Sequence, residues 1–257
     1  LVVNLRSRCT TGHTSHVMED DDEIDAILSG ADDRDAAEEE ELAVAARSIP
    51  GLSLFPAFLT PQEQHALLSD VLHEWSFDSD GSNQAMVFGS SLPGWAKALS
   101  SKIQDATNDD SSGTGTGFDQ LIANCYEAHE GIAQHVDLAQ FKDGIAGVSL
   151  ASPCVMVFSP CGDCDCGKAG GQREAGAFQH IDACPSLSRE VPVLLRPGSL
   201  YYLRGDARWK WAHRIDQQQP VQSFNGREIR REWRLSITMR RMVAVDQRPC
   251  RGNDKVR

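Results

Sequence analysis

The sequence predicts a mainly β protein with flanking helices, built around a jelly roll or barrel. Two observations lead to this fold class. From Phe118 onward the chain is a series of short apolar runs separated by turn residues, which is typical of a jelly roll or barrel. Helical patterns are confined to the part before Phe118. The chain has 257 residues, of which 40% are hydrophobic, and this suffices for one domain of enzyme size plus a tail.

Two helices are predicted ahead of most of the strands. The first begins after Thr60, whose side chain can cap it, and Pro61 suits its first turn because no N–H partner is needed there. Glu63, three residues after Thr60, completes a capping box. The apolar stripe that follows ends near Trp75, and a second helical pattern runs over residues 91–103.

The predicted strands are short, and turn or loop residues lie between them. They comprise residues 50–55, 121–126, 145–150, 154–158, 191–195, 199–204 and 233–242. The dipeptide Asn225-Gly226 is a tight-turn signal. In the last strand, apolar residues alternate with Arg234, Ser236, Thr238 and Arg240. One face of that strand is therefore apolar, and the other carries two guanidinium groups and two hydroxyls.

The charged residues are unevenly distributed along the chain, whose formal net charge is −12. Residues 1–46 hold 13 acidic residues against three arginines, which predicts a disordered acidic tail. One domain over residues 47–246 and a short tail over 247–257 are predicted to follow. Residues 204–241 contain ten lysines and arginines against four acidic residues. Such a segment suits a polyanion such as nucleic acid; alternatively, two of its arginines bind a small dicarboxylate and the rest are solvated.

The eight cysteines are not accompanied by a basic-then-apolar leader pattern. Reduced thiols or metal ligands are therefore expected rather than disulfides. No apolar run approaches the roughly 18 residues that a membrane helix needs. We expect no membrane association and a cytoplasmic and/or nuclear location.

A Gly- and Cys-rich segment over residues 159–190 is predicted to be an insertion between core strands. Its cysteines have the spacing of zinc ligands, and a further histidine or cysteine can complete a tetrahedral set. The candidate ligands are Cys161, Cys164 and Cys166 with His180 or Cys184. The alternative is a flexible loop with incidental cysteines.

The most informative residues are His135-Val136-Asp137 and, far downstream, His213. Residues i and i+2 of a strand point to the same side, so His135 and Asp137 can converge on one ion. Two imidazoles and one carboxylate are the protein ligands of a facial triad, which holds Fe(II) and leaves coordination positions open. His-x-Asp alone is a weak signal, because a histidine beside Trp211 is often a packed core residue and an aspartate after a strand often forms a turn.

Further motifs accompany the triad in a characteristic order. They are Asn124-x-Tyr126, Gly131-Ile132, Pro197-Gly198-Ser199-Leu200, Arg204-Gly205-Asp206-Ala207-Arg208 and the closing Arg234-x-Ser236-x-Thr238-x-Arg240. With them, the chain from about Pro50 to about Val243 resembles the AlkB family of Fe(II)- and 2-oxoglutarate-dependent dioxygenases. The closing motif is the most specific of the set. The resemblance implies a double-stranded β-helix, which is a jelly roll that holds the metal inside one open end.

The resemblance also implies roles for the cosubstrate residues. Arg234, helped by Tyr126 and Ser236, would hold the distal carboxylate of 2-oxoglutarate. Arg240 and Asn124 would hold the carboxylate next to the keto group. Arginine suits both positions because its planar fork bonds both oxygens of a carboxylate. Ser236 stands where many members carry Asn.

The implied reaction consumes O2, converts 2-oxoglutarate to succinate and hydroxylates a substrate C–H bond. On an N-methyl group the resulting alcohol decomposes to formaldehyde. We expect a modified nucleobase in RNA or DNA as the substrate, which must leave the base stack to enter such a pocket. The alternatives are a protein demethylase or hydroxylase of the same fold and a non-catalytic nucleic-acid-binding module. A monomer is expected.

Two groups of side chains are candidates for substrate contact by the same resemblance. The segment from about Trp75 to about Trp95 corresponds to a lid over the base. Its candidate stacking groups, each of which can equally be plain core, are Phe77, Met86 and Phe88. The residues expected to flank the metal entrance are Tyr201, Tyr202, Arg208 and Trp209.

Overall fold

The computed structural model describes residues 36–75, 77, 83–109, 117–161 and 190–243. These ranges form a jelly-roll core of antiparallel strands with helices around it, which confirms the predicted fold class. The helices are α1 (Ala36–Ser48), α2 (Pro61–Glu74), α3 (Gly94–Thr107) and the single turn α4 (Asp206–Trp209). In the described part of the chain, no helix combines the length and the apolar character needed to cross a membrane.

The strands form two sheets and a hairpin. They are β1 (Leu52–Phe55), β2 (Gln84–Phe88), β3 (Gln120–Tyr126), β4 (Ile132–His135), β5 (Ile145–Leu150), β6 (Cys154–Pro160), β7 (Val191–Leu195), β8 (Leu200–Leu203), β9 (Trp211–Ile215), β10 (Val221–Phe224), β11 (Arg227–Arg230) and β12 (Arg234–Arg240). The first sheet has the order β1-β8-β5-β12-β3-β2, and the second has the order β4-β9-β6-β7. Strands β10 and β11 pair through the predicted Asn225-Gly226 turn, whose two φ angles are 50° and 80°.

The capping box predicted for α2 is confirmed. The Glu63 backbone N–H donates to Thr60 Oγ1 over 3.3 Å, and the Thr60 backbone N–H donates to the Glu63 carboxylate over 2.8 Å. The second predicted helix is α3, which continues past residue 103 to Thr107 and ends where Asn108 adopts a left-handed conformation. Both helices contribute to one apolar cluster with the first sheet, so they cover one face of that sheet.

Strand β12 lies inside the first sheet, between β5 and β3. Leu235, Ile237 and Met239 are fully buried in the cluster that includes the helix side chains. The alternate residues, from Arg234 to Arg240, therefore point away from the helices. The predicted division of this strand into an apolar face and a face with two guanidinium groups is confirmed.

The prediction that residues 1–46 form a disordered tail is wrong for residues 36–46, which belong to α1. Leu42 and Ala45 are buried in a second apolar cluster that also contains side chains of both sheets. The acidic residues have specific partners: Glu38, itself buried, accepts hydrogen bonds from Arg196, and Glu41 accepts from Arg227. Two of the acidic residues that suggested a tail are thus paired with arginines of the folded domain. Residues 1–35 lie outside the described residues.

Candidate metal and cosubstrate site

The three predicted metal ligands converge between the two sheets. His135 ends β4 and lies directly opposite His213 of β9 in the strand register. Their ring centroids are 4.4 Å apart. Asp137 follows two residues later, and one ligand atom from each of the three side chains lies within 4.8 Å of the others. This spacing allows all three to bind one ion.

The environment of each histidine suits metal binding. His135 Nδ1 lies 2.8 Å from the Ala133 carbonyl oxygen. If Nδ1 carries the proton, Nε2 keeps its lone pair for a metal, as is usual for metal-binding histidines. Burial, followed by the proximity of His135, lowers the pKa of His213 to about 3. His213 is therefore neutral at physiological pH, which is the state that coordinates a cation.

Asp137 is buried but ionised. Burial alone would raise the pKa of its carboxyl, but the positive charge of Arg240 holds that pKa well below its usual range. Arg240 Nη2 donates to Asp137 Oδ1 over 2.8 Å, whereas Oδ2 lies 3.8 Å from His213 Nε2. The site therefore offers a carboxylate oxygen on the side that faces the histidines.

Arg208 supports the segment that carries Asp137. Arg208 is 1% exposed, and its guanidinium donates to the carbonyl oxygens of Asp137, Leu138 and Phe141 over 2.9, 2.7 and 3.1 Å. It also stacks on the Trp209 ring at 4.0 Å. The sequence predicts that Arg208 flanks the metal entrance, but the structure places its guanidinium against the backbone carbonyls of the segment that carries Asp137. Its role there is to fix the backbone that positions the carboxylate.

Arg234 is buried without an acidic partner in the described ranges. Its Nε donates to Ser149 Oγ over 2.9 Å, and its guanidinium carbon lies 5.6 Å from the centroid of the Tyr126 ring. Its Nη2 has no hydrogen-bond partner among the described residues. A buried cation with an unused donor is costly unless an anion binds it. This geometry fits a carboxylate ligand.

The other predicted cosubstrate residues lie on the same sheet face. Tyr126 and Asn124 of β3 are opposite Arg234 and Ser236 of β12 in the register. Asn124 Oδ1 accepts from Gln84 Nε2 over 2.6 Å. Burial raises the pKa of Tyr126, so its phenol stays protonated and can donate a hydrogen bond.

Tyr201 lies among these polar groups. It pairs in register with Gly147, which pairs with Thr238. Burial, and then the charge of Asp137, raise the pKa of Tyr201 to about 12. A Cβ atom at Gly147 would overlap the Tyr201 ring, so glycine is what lets this ring lie flat across the neighbouring strand. The phenol therefore remains a neutral hydrogen-bonding group beside the charged residues.

The remaining predicted site residues are only partly described. Cys161 is buried, and its backbone N–H donates to the Lys210 carbonyl over 2.7 Å. Cys164, Cys166, His180 and Cys184 lie outside the described residues. The zinc hypothesis therefore stays a prediction.

Of the three candidate stacking residues in the predicted lid, one is buried in the core and two are exposed at the surface. Phe77 is buried and packs edge to face on Trp75, with ring centroids 6.4 Å apart. Met86 and Phe88 are 45% and 48% exposed. They lie on the face of β2 that continues the polar face of β3, because Phe88 pairs with Gln120 and Met86 with Ile122.

A jelly roll in which two histidines and a carboxylate share a metal position beside two arginines defines the class of non-haem iron oxygenases. Residues 80–240 match the family model of the 2OG-Fe(II) oxygenase superfamily. The match covers more than half of the chain, which therefore belongs to this superfamily. It is a dioxygenase that uses Fe(II), O2 and 2-oxoglutarate.

Several relatives are AlkB-type proteins, which confirms the predicted resemblance. The Alkylated DNA repair protein ALKBH8 homolog of Arabidopsis thaliana is 27% identical over 221 residues, which cover 79% of this chain and 60% of that protein. An uncharacterized protein of Acanthamoeba polyphaga mimivirus is 25% identical over 214 residues, which cover 77% of this chain and 88% of that protein. The mitochondrial alpha-ketoglutarate-dependent dioxygenase alkB homolog 7 of Bos taurus is 35% identical over 111 residues, 42% of this chain and 39% of that protein.

The chain thus spans 60% of the length of the Arabidopsis relative. Among solved structures, OsALKBH1 is similar in fold, with a TM-score of 0.50 at 15% identity. The similarity covers 75% of this chain and 98% of that one.

The residues present fit both partners that the family uses. Neutral imidazole nitrogens and a carboxylate oxygen suit Fe(II), and the unused donor of buried Arg234 suits a carboxylate. The ion would be held by His135, Asp137 and His213.

Proposed function

We propose that this dioxygenase demethylates or hydroxylates modified nucleobases in RNA or DNA. The observation that carries the proposal is a pair of exposed apolar side chains, Met86 and Phe88 of β2, on the same sheet face as the polar residues of the site. In the register Phe88 pairs with Gln120, and Gln120 pairs with Arg240, which contacts the metal ligand Asp137. Aromatic and thioether side chains beside such a site suit the flat face of an unstacked base.

The relatives support the same substrate class. The Arabidopsis protein is named for alkylated DNA repair. At 27% identity this name supports a nucleic acid as the polymer and leaves the modified base open.

Charge supports the proposal less than the sequence suggested. Of the ten basic residues between positions 204 and 241, several are buried, including Arg208, Arg231 and Arg241. Others are engaged in ion pairs, as Arg214 is with Glu190 and Asp216. The net excess of this segment is therefore not a basic surface patch. We expect base stacking to contribute more to the affinity for oligonucleotides than salt-dependent contacts with phosphate groups.

The residues of the site have separate tasks in this function. Arg234 and Arg240 bind the two carboxylates of 2-oxoglutarate, and Arg208 keeps the backbone of Asp137 in place. Fe(II), held by His135, Asp137 and His213, would supply the oxidation, in which one oxygen atom of O2 is incorporated into succinate, the other is inserted into a substrate C–H bond, and CO2 is released. Met86 and Phe88 hold the base so that its modified group points toward the metal ligands.

The test is a panel of N-methylated RNA and DNA oligonucleotides beside methylated histone-like peptides, followed by mass spectrometry and succinate release. We expect a mass loss or an added oxygen on an oligonucleotide. Phe88→Ala should raise the KM for that oligonucleotide by about tenfold, because base stacking contributes about 1–3 kcal/mol. Val221→Ala, which truncates an exposed apolar residue of β10, is the matched control. Turnover of peptides alone would replace the proposal with a protein oxygenase.

A further inference from the structure

Gln120 has the most unusual environment among the polar side chains of the site. It is fully buried, at 0% exposure, and neither Oε1 nor Nε2 has a hydrogen-bond partner among the described residues. Buried amides are almost always hydrogen-bonded, so an unpaired one needs a specific explanation. A partner that is acquired when the site is filled provides such an explanation.

The strand register identifies that partner. Gln120 of β3 lies directly opposite Arg240 of β12, and directly opposed residues of antiparallel strands project from the same sheet face. Arg240 has a buried Nε that also lacks a partner among the described residues. Gln120 Oε1 and Arg240 Nε are separated from their Cβ atoms by the same number of bonds. An acceptor and a donor of equal reach thus lie on neighbouring strands.

The other contacts of Arg240 leave its Nε free for this bond. Its Nη2 donates to Asp137 Oδ1 over 2.8 Å, and its guanidinium carbon lies 4.6 Å from the centroid of the Phe141 ring. These contacts fix one edge and one face of the guanidinium. The guanidinium N–H groups that Asp137 does not use would bind the carboxylate. Their direction depends on which acceptor forms a hydrogen bond with Nε–H.

We propose that Gln120 is a positioning residue for 2-oxoglutarate, which acts by accepting a hydrogen bond from Arg240 Nε–H when the carboxylate next to the keto group is bound. Rotation about the side-chain bonds of Gln120 forms this bond. It aims the remaining N–H groups of Arg240 at the carboxylate, and the Gln120 amide N–H2 stays as a further donor on the same face. The inference rests on Arg240 as a cosubstrate ligand and does not depend on which polymer is oxidised.

The experiment measures 2-oxoglutarate binding to the Mn(II)-loaded protein by calorimetry, so that turnover plays no part. Gln120→Met keeps the side-chain length and removes the acceptor. It should weaken 2-oxoglutarate binding about three- to tenfold, which corresponds to one lost hydrogen bond. Mn(II) binding without 2-oxoglutarate should stay within about twofold of the wild type. Gln64→Met applies the same change to another buried glutamine, in α2, and should leave 2-oxoglutarate binding unchanged.

A double-mutant cycle separates positioning from a structural role. Arg240→Lys keeps the positive charge but replaces Nε–H with a methylene group. In that background Gln120→Met should cause no further loss, whereas in the Arg234→Lys background it should cause its full loss. Where Gln120→Met does not fold, Gln120→Asn, whose acceptor is one bond too short, takes its place in the cycle.

Three results would overturn the inference. One is an unchanged affinity for 2-oxoglutarate in Gln120→Met. Another is an equal loss in the Arg240→Lys background. The third is an effect confined to the KM for a modified oligonucleotide, which would make Gln120 a base-contacting residue. The substrate proposal fails separately, through the substrate panel, because calorimetry with 2-oxoglutarate contains no polymer.

Discussion

Arg240 Nη2 donates to Asp137 Oδ1 over 2.8 Å, and this contact assigns different tasks to the two oxygens of one carboxylate. The other oxygen, Oδ2, lies 3.8 Å from His213 Nε2 and faces the metal position. We therefore expect Asp137 to bind the metal through Oδ2 alone. Arg240 is also the arginine that the sequence assigns to the cosubstrate, so we expect metal binding and 2-oxoglutarate binding to share this residue.

The metal position gives the first prediction. His135→Ala, Asp137→Ala and His213→Ala should each reduce Fe(II)-dependent succinate formation to background, because each removes one of three ligands that lie within 4.8 Å of one another. Bound iron and succinate are measured together, with circular dichroism to show that the fold persists. His73→Ala, at an exposed position of α2, is the control. Full activity in any one of the three variants would remove that residue from the site.

The second prediction concerns the two arginines that are expected to bind 2-oxoglutarate. Arg234→Ala and Arg240→Ala should each weaken 2-oxoglutarate binding by about 1.5–3 kcal/mol, the contribution of a charge-assisted hydrogen bond. Arg234→Lys should restore little of this, since lysine cannot both donate to Ser149 and present a planar fork. Calorimetry with the Mn(II)-loaded protein measures the affinity. Arg230→Ala, at an exposed position of β11, serves for comparison, and unchanged binding in both site variants would contradict the assignment.

The third concerns the support of Asp137. Arg208→Met keeps much of the buried stem but leaves three carbonyl oxygens without their donor. The free energy of unfolding should fall by about 2–4 kcal/mol, and Fe(II) should bind more weakly because the Asp137 backbone is released. Urea denaturation and metal titration measure the two effects. Arg204→Met changes an exposed arginine nearby, and it should alter neither the free energy of unfolding nor the affinity for Fe(II). A stable variant with normal metal affinity would show that Arg208 is dispensable for the site.

The fourth tests the corrected boundary of the domain. Leu42→Ala should lower the free energy of unfolding by about 2–4 kcal/mol, because α1 buries this side chain against the core. Val44→Ala makes a smaller truncation at an exposed position of the same helix and should cost far less. Thermal and urea unfolding compare the two. Equal stability of both variants would restore the interpretation of this segment as a tail.

The sequence predicted those parts of the fold whose pattern is local. Alternation in β12 showed its two faces, and the Thr60 and Glu63 pair located the start of α2. Strand β4 was not predicted, because its four residues are all half-buried and its sequence therefore shows no alternation of apolar and polar residues. Helix α1 escaped because its acidic residues imply a solvated segment unless the distant arginines that pair with them are known.

The sequence predicts the site where the residue types themselves indicate a ligand, as in His-x-Asp and the closing arginine motif. The supporting roles of other residues were not predictable in this way. Arg208 acts through backbone carbonyls 67 to 71 positions away in the chain, and Gln120 is defined by an unpaired amide opposite Arg240. Only the register of strands and the burial of atoms identify such residues.

Gly147 gives the last prediction. Any Cβ at this position would overlap the ring of Tyr201, which lies among Asp137, Arg234 and Arg240. Gly147→Ala should therefore push the phenol into the space beside the arginines and weaken 2-oxoglutarate binding by about tenfold or more, with a loss of stability of about 1–3 kcal/mol from overpacking. Mn(II) binding alone should change less, because two of the three proposed ligands, His135 and His213, lie on strands of the other sheet.

Two comparisons make this prediction specific. Gly94→Ala adds the same methyl group where no atom lies within 4 Å and should leave 2-oxoglutarate binding unchanged. In the Tyr201→Ala background, which lacks the ring that the methyl group displaces, Gly147→Ala should cost little further stability. If Gly147→Ala costs as much stability in that background as in the wild type, the contact with Tyr201 is not what requires glycine at this position. If 2-oxoglutarate binds normally to Gly147→Ala, the Tyr201 ring does not border the cosubstrate.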